Sequence, residues 1–257
     1  MRRAWVWIAA ALVVTLITVL MRLPAAWLVP LVERQTDGRV SIGDPEGSVW
    51  QGSGFIGAAS SSEEPLVPLL PGRFQWTLSP LALIGIIDAS LRNDSALPKP
   101  LAIHGRWSRW DIGPGSVNLP AERLAALGAP LNTIRPTGLM SLSWQALTIT
   151  RRHDEIHIEG RMQLDMTQIA SALSPVKPLG AYRMHVDWQG GTARIDLKSL
   201  SGPLLLEGAG EIVNGRLRFS GQAWAQEGEE QRLAILLNLL GQRRWVGNRN
   251  VIALEFQ

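Results

Sequence analysis

The sequence predicts a mainly β fold with a few short helices, carried behind an N-terminal transmembrane helix. Three observations lead there. Residues 4–21 form one uncharged apolar run, with Arg2 and Arg3 before it and Arg22 after it. Behind the run, short segments of alternating polar and apolar residues recur with turn residues about every 8–12 positions, the spacing of antiparallel sheets. Only three later segments carry helix signals, too few for a layout of alternating strands and helices.

Nine of the eighteen residues in the run are Leu, Ile or Val, each favourable by about 0.3–0.6 kcal/mol at the centre of a spanning helix. Eighteen helical residues reach about 27 Å, close to the roughly 30 Å hydrocarbon core of a bilayer. A cleaved signal peptide would have an apolar region of about 7–15 residues and a small-residue cleavage site. Here the run is longer, and Leu23-Pro24-Ala25-Ala26 is a poor site. The expectation is therefore an uncleaved single span built on Trp5, Trp7, Leu12, Val14, Ile17 and Leu20, with Trp5, Trp7 and Trp27 near the headgroups. Arg2 and Arg3 set its topology with the N-terminus in the cytoplasm, so that in a Gram-negative cell the bulk is periplasmic. Residues 1–22 are then a cytoplasmic tip and anchor, 23–38 a juxtamembrane segment and 39–257 a periplasmic β-rich domain.

Residues 25–33 read as a short amphipathic helix near the membrane surface. Strands are expected at 39–42, 48–50, 73–78 and 101–107, then twice within 139–164 around a polar turn at 151–154. Further strands are expected at 183–187, 192–197, 204–207, 215–220 and 250–256. Residues 60–71, rich in Ser, Glu and Pro, read as a connection. The three helix signals lie at 120–127, opened by Pro120 and closed by Gly128, at 167–173, and at 229–240, with acidic residues in its first turn and Gly241 behind it.

Composition excludes several classes of function. The 257 residues are 46% hydrophobic and 18% charged, enough apolar content to exclude a disordered chain. The absence of cysteine excludes disulfides, thiolate metal sites and cysteine nucleophiles. A net charge of +3 with a pI near 9.9 suggests nucleic acid. Outside Arg2 and Arg3, however, 23 basic residues face 22 acidic ones. The pI is high because all but three of the basic residues are arginine, which does not titrate in proteins. Arg151-Arg152 and Arg243-Arg244 are the only basic pairs behind the anchor, too little to track a phosphate backbone, so nucleic acid is not an expected partner.

The motifs have plain structural readings. Gly52-Ser-Gly-Phe-Ile-Gly57 matches a dinucleotide fingerprint in letters, yet no helix follows to hold a pyrophosphate, and glycines permitting close strand packing fit better. His153-Asp-Glu-Ile-His157 resembles a zinc-protease helix only superficially, because it falls in a hairpin turn. His104 and His185 stand singly in strand-like runs. Asn93-Asp94-Ser95 matches a glycosylation sequon by chance. No serine elbow or paired carboxylates emerge, and no catalytic, cofactor or metal-binding residues are assigned. A hydrolase with a site assembled from distant residues stays open at this point. The eight tryptophans behind residue 27 are expected in the core or along an apolar groove.

Seven pieces occur in order over nearly the whole chain. They are Leu23-Pro-Ala25, Gly47-Ser-Val-Trp-Gln-Gly52, Trp76-Thr-Leu-Ser-Pro-Leu81, Gly115-Ser-Val-Asn-Leu-Pro120, Leu131-Asn-Thr-Ile-Arg-Pro-Thr-Gly138, Leu173-Ser-Pro-Val-Lys-Pro-Leu-Gly180 and Gly202-Pro-Leu-Leu-Leu-Glu-Gly208. With the anchor, this set resembles the type II secretion system protein N (general secretion pathway protein N) family. The resemblance implies a non-enzymatic inner-membrane accessory component that supports export of folded proteins from the periplasm. Its implied partners are other components of that machine, the inner-membrane platform or the secretin. The family is similar to AsmA-like proteins, which implies an antiparallel, curled β-sheet and, as the alternative function, a periplasmic lipid-binding or lipid-transfer-like groove.

Overall fold

A computed structural model describes residues 2–36, 40–58, 67–127, 131–152, 155–213, 215–246 and 249–256. Helix α1 (Arg2–Met21) contains the whole apolar run. Its threonines leave no unpaired donor, because Thr15 and Thr18 donate to the carbonyls of Ala11 and Val14 at 2.9 and 2.8 Å. The expected transmembrane span nevertheless gains no support from the fold. Among the described residues no helix is long and apolar enough to cross a membrane. The side chains of residues 2–6, 9, 10, 16 and 17 lie outside the described part.

A 3-10 turn, Ala25–Trp27, leads into α2 (Leu28–Gln35). The helix ends at Thr36, whose hydroxyl donates to Val32 at 2.9 Å and accepts the Val40 N–H at 3.2 Å as the chain turns back. Among the described residues seventeen strands follow, all in one antiparallel sheet. The first eight are β1 (Val40–Gly47), β2 (Gln51–Ala58), the two-residue β3 (Val67–Pro68), β4 (Phe74–Leu78), β5 (Ile86–Arg92), β6 (Leu101–Arg106), β7 (Arg109–Ile112) and β8 (Gly115–Pro120). After a 3-10 helix, Ala121–Leu127, and α3 (Leu131–Ile134) come β9 (Pro136–Trp144), β10 (Leu147–Arg152), β11 (Glu155–Ser171) and β12 (Gly180–Gly190). The chain ends with β13 (Thr192–Ser201), β14 (Leu204–Val213), β15 (Arg216–Ala225), α4 (Glu230–Leu240), β16 (Gln242–Val246) and β17 (Arg249–Phe256).

Pairing follows the chain almost throughout, with β3 a spur on β2. The pair β7 and β8 acts as one interrupted strand against the pair β9 and β10, in a register that continues unchanged across both interruptions. Strand β11 pairs with β10 and then β9 along one edge and with β12 along the other. From there the order runs to β15. Only the last hairpin is turned over, with β17 beside β15 and β16 outermost. The sheet is open: no pairing joins β1 to β16 among the described residues.

The two ends of the strands differ. One end carries short turns such as residues 48–50, 107–108 and 191, together with the loop 79–85; we term it the hairpin end. The opposite, capped end carries the longer crossings 93–100, 121–135 and 172–179, and α4. The core lies mainly at this capped end. Leu233, Leu236 and Leu237 of α4 bury themselves against Leu204, Ala223, Ile252 and Leu254 of the sheet and Val176 and Leu179 of the crossing. A second cluster packs Phe74 against Ala96 and Leu97. Asn93, only 3% exposed, ties that crossing down: its Oδ1 accepts from the amides of Ser95 and Ala96 and its Nδ2 donates to Pro71. The residue that matched a sequon is thus a loop fastener.

The edge at β1 is blunted. Pro45 has no N–H to offer a further strand, Asp44 adopts φ 48°, and the register shifts between Gly43 and Glu46. Arg73 clamps this bulge, reaching Asp44 Oδ2 at 2.7 Å, Glu46 at 3.0 Å and the Ser53 hydroxyl at 2.8 Å.

Three sequence expectations are corrected: residues 139–164, expected to hold two strands, carry three, β9, β10 and β11. Residues 167–173 form no helix; β11 runs to Ser171, with Gln168 at φ 53° marking a register shift. Residues 48–50 are a turn, and the strand begins at Gln51. Strands β5, β7, β8 and β16 were not expected. The expected helices at 25–33, 120–127 and 229–240 are present within a few residues. Most of the 60–71 connection and His153 and Asp154 lie outside the described residues.

Leu233 is fully enclosed, so Leu233→Ala should cost about 2–5 kcal/mol by loss of contacts and cavity formation. Denaturant unfolding of the detergent-solubilised full chain, followed by tryptophan fluorescence, measures it.

Candidate functional site

Following the register from strand to strand assigns every side chain to one of two faces. One face is polar across the sheet. Along one row of it, Arg161 faces Asp187, Asp187 faces Arg194, Arg194 faces Glu211, and Glu211 faces Arg218. Alternating charges on directly opposite positions stabilise such ladders by tenths of a kcal/mol per pair. A shallow concavity of about 1020 Å³ over this face is lined by Arg161, Asp187 and Arg194 of this row, with His185, Asp196 and Lys198. Its charges answer one another, and among the described residues no cluster of His, Asp and Glu could hold a metal.

Two carboxylates on this face, Asp111 and Asp165, are held below the ordinary range, Asp111 by hydrogen bonds from Thr148 and Arg109. Burial pushes the Asp165 carboxyl up, but hydrogen bonds from Arg183 at 2.6 Å and Gln163 at 2.7 Å, with the charges of Arg183 and His185, pull it below the ordinary range on balance.

The opposite face is apolar across the same strands. It runs from Phe74 and Trp76 on β4 through Ile103 on β6, Leu164 on β11, Val186 and Trp188 on β12 and Ile195 on β13 to Phe219 on β15. Burial alternates accordingly: on β13, Ala193 and Ile195 are buried while Thr192, Arg194 and Asp196 are exposed. Towards the α4 end, Tyr182 is buried and donates to the Leu204 carbonyl at 3.0 Å, and burial raises its phenol pKa well beyond the usual value. Helices pack mainly on β1, β15 and β17, and 3-10 turns on β5 and β9. On β11 and β12, by contrast, Met162, Leu164, Met184, Val186 and Trp188 are half-buried. The Trp188 indole N–H is enclosed there without a partner among the described residues.

Keeping one face apolar requires a change of phase in the middle of the sheet. On β7 the apolar face takes even positions, Trp110 and Ile112; on β8 it takes odd ones, Val117 and Leu119. The partners change together, from Met140, Leu142 and Trp144 on β9 to Leu147 and Ile149 on β10. The switch occurs at residues 113–114 and 145–146, and the Trp144 indole fastens it by donating to the Gly113 carbonyl at 2.9 Å. Gly160 lies opposite at φ 137°, where an added Cβ would come within 2.6 Å of Leu147.

The glycine motif at 52–57 lies on β2 and serves packing. A Cβ at Gly52 would meet the Trp76 ring at 2.5 Å, and one at Gly54 would meet Ile42 at 2.6 Å. His104 sits 3.2 Å from Asp88, opposite it on an exposed part of the β5–β6 ladder, and the half-buried His157 sits 3.4 Å from the exposed Glu155 on the same strand.

Of the anchor residues proposed from sequence, Trp7, Leu12 and Val14 are exposed and Leu20 is half-buried. The side chains of Arg2, Arg3, Trp5 and Ile17 lie outside the described residues. The lower end of α1 is fixed to the hairpin end of the sheet. The Trp50 indole donates to the Leu20 carbonyl at 2.7 Å, the Val49 amide donates to Leu23 at 2.9 Å, and Pro24 bridges to Ser48. Sequence reasoning missed this joint, because Trp50 read as a strand residue.

The family model for type II secretion system protein N matches residues 38–251, most of the sheet. The chain belongs to the type II secretion system protein N family. No curated protein and no solved structure matches the chain. Membership makes it a component of the type II secretion system, a protein-transport machine whose other components are its expected partners. The matched residues begin just before β1 and leave α1 and α2 outside.

Asp165 supplies a pH test. Its carboxyl titrates lower folded than unfolded, where about 3.9 is usual. The stabilisation is therefore complete above that value and is lost as pH falls through the lower folded value. Between pH 6 and pH 3 the unfolding midpoint of Asp165→Asn should fall less than that of the parent chain, as thermal melts will read.

Proposed function

We propose that this chain is an inner-membrane accessory component of the secretion system, held by α1 with its sheet in the periplasm, and that it acts through protein contacts rather than catalysis. The observation that carries this is the joint between α1 and the hairpin end of a single broad sheet, beside the family match. The eighteen uncharged residues of the run, with Arg2 and Arg3 before them, support the anchor and its direction. The sheet offers unequal edges to other proteins. The β1 edge is blunted by Pro45 and flanked by α2, whereas β16 ends the opposite side as an outermost strand with Trp245 exposed. An outermost strand is where an extended segment of the platform or the secretin can add by main-chain hydrogen bonds.

A second reading rests on the apolar face. A sheet face that runs from β4 to β15, with no helix packed over its middle strands among the described residues, suits acyl chains, and a lipid-binding or lipid-transfer role would use it. Lipid co-purifying with the full chain, and lost from Val186→Asp, would support that role; a lipid-free preparation would remove it.

Deleting the gene should lower the amount of exported enzyme in the medium and leave it trapped in the periplasm, as activity assays of both fractions will show. Normal secretion in the deletion strain would overturn the first reading. Alkaline carbonate should leave the full chain in the membrane pellet.

A further inference from the structure

The hairpin end carries a built apolar tip beside the joint with α1. Residues 79–85, between β4 and β5, form a 3-10 turn, Pro80–Ile84, whose N-cap Ser79 accepts from the Leu81 amide. The turn presents Leu81, Leu83 and Ile84 outward, with Ile86 beginning β5. Trp107, in the turn after β6, joins them because β5 and β6 pair Ile86 with Arg106. Its indole donates to the Ala82 carbonyl at 2.7 Å and lies over Gly85, where a Cβ would meet the ring at 3.6 Å. Gly85 itself has φ 91°, so the turn is shaped to hold the ring. Ile84 is 71% exposed and Trp107 64%. These are large apolar groups held in place in the open, not side chains on a loose loop.

Two further features indicate what covers them. The first is position. The Leu78 amide donates to the Trp50 carbonyl at 2.7 Å, and the Trp50 indole holds Leu20 of α1. The tip is thus the next turn along from the place where α1 meets the sheet. The second is charge. The neighbouring turn brings Arg106 and Arg109 to the same end, and the end of β10 adds Arg151 and Arg152, tied in by the Arg151 amide on the Ser108 carbonyl at 2.8 Å. All four arginines are exposed. Apolar side chains and an indole at the centre, with guanidinium groups beside them, match the acyl boundary and anionic headgroups of a bilayer.

We propose that this tip, Leu81, Leu83, Ile84, Ile86 and Trp107, seats the hairpin end of the sheet in the surface of the membrane that holds α1, with the four arginines on anionic headgroups. The proposal rests on the anchoring reading of α1 but is tested apart from it. One helix leaves a domain free to tilt; a second contact fixes the sheet upright, with its capped end away from the lipid.

The chain has no cysteine, so single labels are clean. An environment-sensitive fluorophore is placed on Ile84→Cys and, as control, on Lys99→Cys in the exposed crossing at the capped end. The full-length chain is reconstituted into vesicles of phosphatidylethanolamine and phosphatidylglycerol. With nitroxide-labelled lipid, the label at 84 should lose about half its emission while that at 99 changes little, because a seated side chain reaches about 5–10 Å into the headgroup boundary. Replacing phosphatidylglycerol with phosphatidylcholine, or introducing Arg151→Glu with Arg152→Glu, should reduce that quenching. Equal, weak quenching at 84 and 99 would overturn the proposal. So would a label at 84 shielded from iodide yet unreached by the nitroxide lipid, which would mean a protein covers the tip. Release of the whole chain by alkaline carbonate would instead overturn the anchoring of α1; quenching at 84, read before that wash, decides the tip either way.

Discussion

The structure depends on one constraint: side chains alternate across a strand, and every strand must keep its apolar set on the same face. A slip of one residue anywhere would turn a whole strand inside out. The sheet absorbs its irregularities without such a slip. At residues 113–114 and 145–146 two neighbouring strands change phase together, and β11 beside them accommodates the change at Gly160. The Trp144 indole on the Gly113 carbonyl holds the paired interruption closed. Everything on either side of the switch, the charge ladder on one face and the apolar row on the other, requires that correction.

The two ends of the strands then take different work. Longer crossings and α4 gather at one end and supply most of the buried side chains of the two core clusters. Short turns at the other end bury little and leave apolar and cationic groups outward. The joint with α1 lies at that end, through Trp50 and Val49. Stability and attachment are therefore placed at opposite ends of one sheet.

Much of this was legible in the chain. Strands such as β13 show clean alternation between turns, because one side of each is solvated and the other apolar, and α4 carries both end signals. What escaped has physical causes. Strands β7 and β8 were missed because the apolar residues change from even positions on β7 to odd ones on β8 within one extended run, which reads as a break. Residues 167–173 read as a helix because the bulge at Gln168 spaces Met166, Ile169, Ala170 and Leu173 as a helix would. The apolar tip was invisible because Ile84 and Trp107 lie apart in sequence; only the pairing of Ile86 with Arg106 brings them together. The switch at Gly160 looked like any glycine in a strand until its neighbours were in place.

The order of the strands also bears on how the sheet can form. Apart from the last hairpin, and with β7–β8 and β9–β10 each taken as one interrupted strand and β3 as a spur, strands pair with their neighbours in the chain, so no early strand must wait for a distant one to close the structure. Growth can proceed hairpin by hairpin from the edge already made, and the loop-closure entropy of each step stays small. The same arrangement lets a lineage lengthen or shorten the sheet by whole hairpins, since an added pair of strands extends the row without disturbing the pairings behind it.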